Sequence, residues 1–176
     1  MPAKTRILFG VVGFFLWMSL AHARDPETVP AAAAACGPGN VEFNVKTDRS
    51  AHPTLQPEGG KAVVYVAQAI PNEAITVRVG FDGAWVGANH VSSYFAFPVD
   101  PGVHHLCASL QSSRLVNRGA SRISLHRLTA AAGRVYYFRV ATDNTGFSLD
   151  IQTVDEDEGQ YLVETSAHST SHPKQK

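Results

Sequence analysis

Charge is scarce in this chain of 176 residues, at 17% Asp, Glu, Lys and Arg against about 25% in an ordinary soluble protein. Neither sign predominates, with 15 basic and 15 acidic residues. That balance excludes a strongly basic nucleic-acid binder and an acidic disordered tail protein. Cysteine is nearly absent. Two residues allow one intrachain disulfide and cannot by themselves build a four-thiolate zinc site. Also missing are HExxH, the phosphate loop, GxGxxG and GxSxG, so no catalytic or nucleotide-binding motif gives a positive sign. No internal repeat of solenoid length occurs. Long apolar runs are limited to one, Ile7 to Ala21, whose 15 residues fall short of the roughly 20 that span a bilayer.

What is present begins with an address. Lys4 and Arg6 precede that apolar run, and Ala21-His22-Ala23 closes it in a small-x-small pattern before Arg24 and Asp25. This order reads as a signal peptide over residues 1–23, cleaved after Ala23, leaving no stable membrane span. The expected location is therefore exported, periplasmic or secreted. Lipidation at Cys36 is set aside because the charged stretch RDPE separates it from the apolar run. Cleavage removes two basic residues and no acid, leaving 13 basic against 15 acidic. No positive field then remains to steer the chain onto nucleic acid or anionic lipid. Export also places Cys36 and Cys107 in an oxidising compartment, where a bond between them is expected. It would close a loop of about 72 residues and contribute roughly 4 kcal/mol in the loop-entropy account.

Residues 24–35 read as a flexible leader, and Asp48–Gly60, rich in breakers, as a loop. The stretch 166–176, SAHSTSHPKQK, is nearly devoid of apolar residues and is expected to be disordered, with His168 and His172 solvated. Between them, residues 36–165 form a single β-domain. Strands are expected at 61–68, 75–81, 84–88, 94–99, 103–110, 123–128, 134–141 and 147–154, with Asp82-Gly83, Pro101-Gly102, Ala132-Gly133 and Asn144-Thr145-Gly146 as turns. About eight strands at spacing near ten residues indicate an antiparallel all-β sandwich. One short helix is expected over 155–164, its early acids favoured at the positive end of the helix dipole. The strand 134–141 should be central, with Tyr136, Phe138 and Val140 on one face and Val135, Tyr137 and Ala141 on the other.

The candidates for chemistry are few. His90, His104, His105 and His126 could serve a metal, but His104 and His105 are adjacent on a strand and point to opposite faces. No metal site and no cofactor is expected. Cys107 and His105 lie about 7 Å apart along a strand, far for direct activation, and a disulfide would consume the thiol. Aromatic residues gather at Trp85, Tyr94, Phe95 and Phe97 and at Tyr136, Tyr137 and Phe138. Most belong to core and cross-strand pairs, and outward members are candidates for glycan or peptide contact. The same holds for Arg114, Arg118 and Arg122 in an exposed loop. His90, His104, His105 and Trp85 are the residues marked for ligand contact.

Three stretches together carry a family resemblance: Gly60–Val66 (GKAVVYV), Val79–Leu106 (VGFDGAWVGANHVSSYFAFPVDPGVHHL) and Gly133–Val140 (GRVYYFRV). In this order and spacing the chain resembles the bacterial domain-of-unknown-function 2846 family over about residues 58–165. A weaker likeness is to PEGA-type surface modules. The resemblance implies an exported envelope β-domain and brings no catalytic residue with it. The expectation is a non-enzymatic binding or structural module whose partner is an envelope protein or glycan, with no nucleic acid. The alternative is a periplasmic metal- or small-ligand-binding protein using its histidines.

Overall fold

A computed structural model describes residues 35–38, 41–111, 123–142 and 148–175. The expected signal peptide 1–23, the expected leader to residue 34, the arginine-bearing stretch 112–122 and the expected turn 144–146 lie outside the described residues. Among the described residues there are ten strands, β1 (Phe43–Asp48), β2 (Ala62–Gln68), β3 (Val77–Phe81), β4 (Ala84–Asn89), β5 (Ser93–Val99), β6 (Gly102–Leu110), β7 (Ile123–Ala130), β8 (Val135–Thr142), β9 (Leu149–Val154) and β10 (Ala167–Pro173), and a helix, α1 (Glu156–Thr165), lies between the last two. They form a β-sandwich of a six-stranded sheet, β1-β10-β5-β2-β8-β9, facing a four-stranded sheet, β4-β3-β6-β7.

Alternation decides which side chains enter the sandwich. Val64 and Val66 of β2, Phe95 of β5, Phe138 and Val140 of β8, Val77 and Val79 of β3 and Leu106 and Ala108 of β6 share one buried core. Phe138 is 1% exposed, as its place on a central strand requires. The opposite face of the six-stranded sheet carries a second cluster, Val63, Tyr65, Ala67 and Tyr94, with Val135, Tyr137, Leu162 and Val163 packed on it. Strand β2 is thus buried on both faces, which explains the unbroken run AVVYVAQ. The hairpin β3–β4 turns at Asp82 and Gly83, with φ of 47° and 85°, the conformation Asp-Gly supplies most readily.

Three sequence expectations are corrected. The strands number ten because β1 and β10 join the eight foreseen. The sandwich is not purely antiparallel, because β2 pairs parallel with β8 and β10 pairs parallel with β5. The tail 166–176, expected to be disordered, contains β10, which pairs along its length with β1. Its low hydropathy misleads because its inward residues are small hydroxyl-bearing ones. Ser169 Oγ donates to the Ala88 carbonyl (3.0 Å) and Ser171 Oγ accepts from the Ala88 N–H (2.9 Å), so the serines satisfy the exposed edge of β4. His168 packs edge-on against Tyr94 at 5.6 Å, while His172 is exposed.

Candidate functional site

A cleft of about 410 Å³ opens on the outer face of the six-stranded sheet. Three segments build it. Strands β2 and β8 lie side by side with Tyr65 opposite Tyr137, and the two rings stack with centroids 5.2 Å apart. With Val135 they form the floor. The loop 49–61 makes one wall, with His52, Thr54 and Gln56. It is pinned by Tyr65, whose hydroxyl accepts from the Leu55 N–H (2.7 Å) and donates to the Leu55 carbonyl (3.1 Å). Helix α1 makes the other wall with Glu156, Gln160, Val163 and Glu164, residues spaced to share one helical face.

The helix stands where it does for identifiable reasons. Asp155 caps its first turn by accepting from the Glu158 N–H at 2.8 Å. Gly159 faces Tyr137 so closely that a Cβ built there would lie 2.1 Å from the ring. Arg139 pairs with Glu158 and ties the helix to β8. Two carboxylates and one imidazole, His52, line the cleft, with no Lys or Arg. Glu156 Oε1 accepts from Gln160 Nε2 at 3.1 Å, and Glu164 is exposed on the same face. Burial, with the neighbouring Tyr65 and Glu156, holds the Tyr137 hydroxyl above its ordinary ionisation range.

The residues marked from sequence fall elsewhere. His90, at the end of β4, shares a hydrogen bond of 3.3 Å between its Nδ1 and Thr76 Oγ1. His104 bridges two turns, with Nδ1 2.6 Å from Asp82 Oδ2 and Nε2 2.7 Å from the Asp100 carbonyl. Its ring stacks on Phe81 at 4.7 Å, and its side chain is 13% exposed. His105 takes part through its backbone, whose N–H donates to Asp82 Oδ1 at 2.8 Å. His126 packs edge-on against Phe138, and burial lowers its proton affinity. No group of three or more His, Cys, Asp or Glu suited to a metal ion occurs among the described residues.

Trp85 lies on the outer face of the other sheet. Its indole N–H donates to the Pro38 carbonyl at 3.2 Å, and the Arg78 guanidinium sits 4.6 Å over its ring. The chain from Ala35 to Pro38 crosses this face, fixed by the disulfide Cys36–Cys107 with Cα atoms 5.1 Å apart, within the range such bonds require. The Gly83 N–H donates to the Ala35 carbonyl at 3.1 Å. Sequence reasoning therefore located the staple and missed the cleft. The readable signals were Tyr65 and Tyr137 at outward positions of two strands and the 156/160/164 spacing on the helix. No family model matches the chain, and no curated protein matches it.

Proposed function

We propose that this protein is an exported envelope module that binds a small ligand, or a side chain of a partner, in the cleft between α1 and the loop 49–61. The single observation that carries this reading is the cleft itself, with stacked tyrosines for a floor and polar groups around its mouth. Its volume falls within the range of small-molecule sites, which combine apolar and aromatic walls with a few polar groups. Export is supported by the N-terminal pattern and by the disulfide, a bond that persists in oxidising compartments. The likeness to the domain-of-unknown-function 2846 family belongs to the same proposal and rests on the motifs quoted for it.

The test is a ligand titration of the mature chain carrying isotopically labelled tyrosine, using oligosaccharides, peptidoglycan fragments, short peptides and amines. Tyr65 and Tyr137 resonances should move while Tyr161, 64% exposed on the helix and outside the cleft lining, stays still. If every class leaves Tyr65 and Tyr137 unmoved, the binding reading is wrong.

A further inference from the structure

Away from the cleft, we infer a second interaction surface: the outer edge of β1 takes an extended segment of a partner protein as an added strand, with an acidic residue of that segment opposite Lys46. Strand β1 ends the six-stranded sheet and is bonded along one side only, to β10. Antiparallel pairing turns the backbone groups of successive residues to alternate sides. The Lys174 N–H donates to the Glu42 carbonyl at 2.7 Å, so Glu42, Asn44, Lys46 and Asp48 turn theirs toward β10. Phe43, Val45 and Thr47 turn theirs outward. Phe43 is occupied. Its N–H donates to Gln111 Oε1 (2.8 Å), and its carbonyl accepts from Gln111 Nε2 (2.9 Å). One carboxamide thus makes there the two-bond exchange that a paired strand would make. The backbone N–H and C=O of Val45 and Thr47 have no partner among the described residues.

Other sheet edges are engaged by side chains. Ser169 and Ser171 hold the Ala88 backbone of β4, and Ser124 Oγ of β7 accepts from the Ile151 N–H of β9 at 3.1 Å. An unpaired edge is a template for a further strand. Backbone pairing then supplies affinity, and alternate side chains supply choice. The choice is readable on β1. Half-buried Val45 shares the inward face with buried Phe43, so the residue facing it is apolar. Asn44, Lys46 and Asp48 are exposed on the other face. Asp48 is engaged by the N–H and hydroxyl of Ser50, and Lys46 has no ion-pair partner among the described residues. A carboxylate directly opposite would complete it. A second copy of this chain fits poorly. Two β1 edges centred on Lys46 set like charges face to face, and centred on Val45 they set Asp48 against Glu42. The register that joins Lys46 to Asp48 overlaps only residues 46–48 of each copy.

The experiment is a titration of the mature, isotopically labelled chain with a capped synthetic peptide, acetyl-Thr-Val-Glu-Val-Thr-amide, at millimolar concentration. The amide resonances of Val45 and Thr47 should shift downfield and exchange with solvent several-fold more slowly, while Tyr65 and Tyr137 in the cleft stay still. The same peptide with Lys in place of Glu should bind roughly two- to fivefold more weakly, the scale of one cross-strand charge pair. Lys46→Glu in the protein should reverse that order. This is a surface change, and unmoved amide resonances along β10 would show the fold intact. A peptide N-methylated at both valines cannot donate to the Val45 and Thr47 carbonyls and should not bind. Silence of the Val45 and Thr47 amides, or equal binding of the N-methylated peptide, overturns strand addition. Equal binding of the Glu and Lys peptides overturns the acidic partner. Shifts of the same amides with protein concentration alone would give the edge to a second copy and overturn the separate partner.

Discussion

The two outer faces of the sandwich are covered by opposite means. On the four-stranded sheet, the segment from Ala35 to Pro38 lies flat against Gly80 and Trp85 and is bonded covalently through Cys36 to the fully buried Cys107. A Cβ at Gly37 would lie 2.3 Å from the Trp85 ring, so nothing fits between. On the six-stranded sheet, α1 and the loop 49–61 are held by hydrogen bonds, an ion pair and two apolar residues of the helix. These two walls do not meet, and the cleft is the space they leave. A covalent strap seals only the ground it crosses, while Val103, Ile123 and Leu125 elsewhere on the same sheet stay exposed; a cover of separate non-covalent parts leaves a cleft between them.

The largest effect that would break this contrast is removal of the strap. Replacing both Cys36 and Cys107 by Ala should cost about 4 kcal/mol for a sequence separation of 71 residues, measured as a lowered denaturation midpoint. Ligand binding at the cleft should survive wherever the variant is folded, since the disulfide touches the other face. The next effect belongs to the cleft face. Gly159→Ala would stabilise an exposed helix by up to about 1 kcal/mol. Here the added carbon meets the Cβ and Cγ of Tyr137, which cannot swing away, and overpacking should reverse the sign to a loss of about 1–3 kcal/mol. A midpoint that rises in urea would show that the helix is not seated on Tyr137.

Smaller still is the cap. Asp155→Ala leaves the Glu158 N–H without its acceptor and should cost about 1 kcal/mol. The loss should appear as faster amide exchange in the first turn of α1, with the strapped face unaffected. The smallest effect is silent at neutral pH. Burial and neighbouring Tyr65 raise the hydroxyl affinities of both Tyr94 and Tyr137 for their protons. A raised folded-state value means stability is complete below the unfolded tyrosine range, near 10, and falls as pH climbs through the folded values. Ultraviolet titration should show these two ionising above the ordinary tyrosine range. Ionisation of both within that range would mean that the outer cluster is open to water.

How far this was legible in the sequence depends on how local each signal was. Strands β2 to β9 were readable because alternation, β-branched runs and turn dipeptides such as Asp82-Gly83 act within a few residues. The helix was readable from its acidic start, which supplied both the cap and the first turn. Strand β10 was not, because its stability comes from β1 and from the edge of β4 rather than from apolar content. The parallel pairing of β2 with β8 joins segments some seventy residues apart, and no local pattern announces it. The cleft inherits that difficulty: its floor needs the pairing, and its walls come from a loop written off for its breakers and a helix noted for its charge.

The register of the first and last strands bears on how the molecule comes into being. Phe43 lies opposite Pro173 and Asp48 opposite His168, and β1 reaches the rest of its sheet through β10. A polypeptide made from its N-terminus therefore carries β1 without its sheet neighbour until residues 167–173 have been made. That pairing spans every other strand of the fold and bears a matching entropic cost of loop closure. Assembly of this edge must come late, after all the strands between its two partners exist.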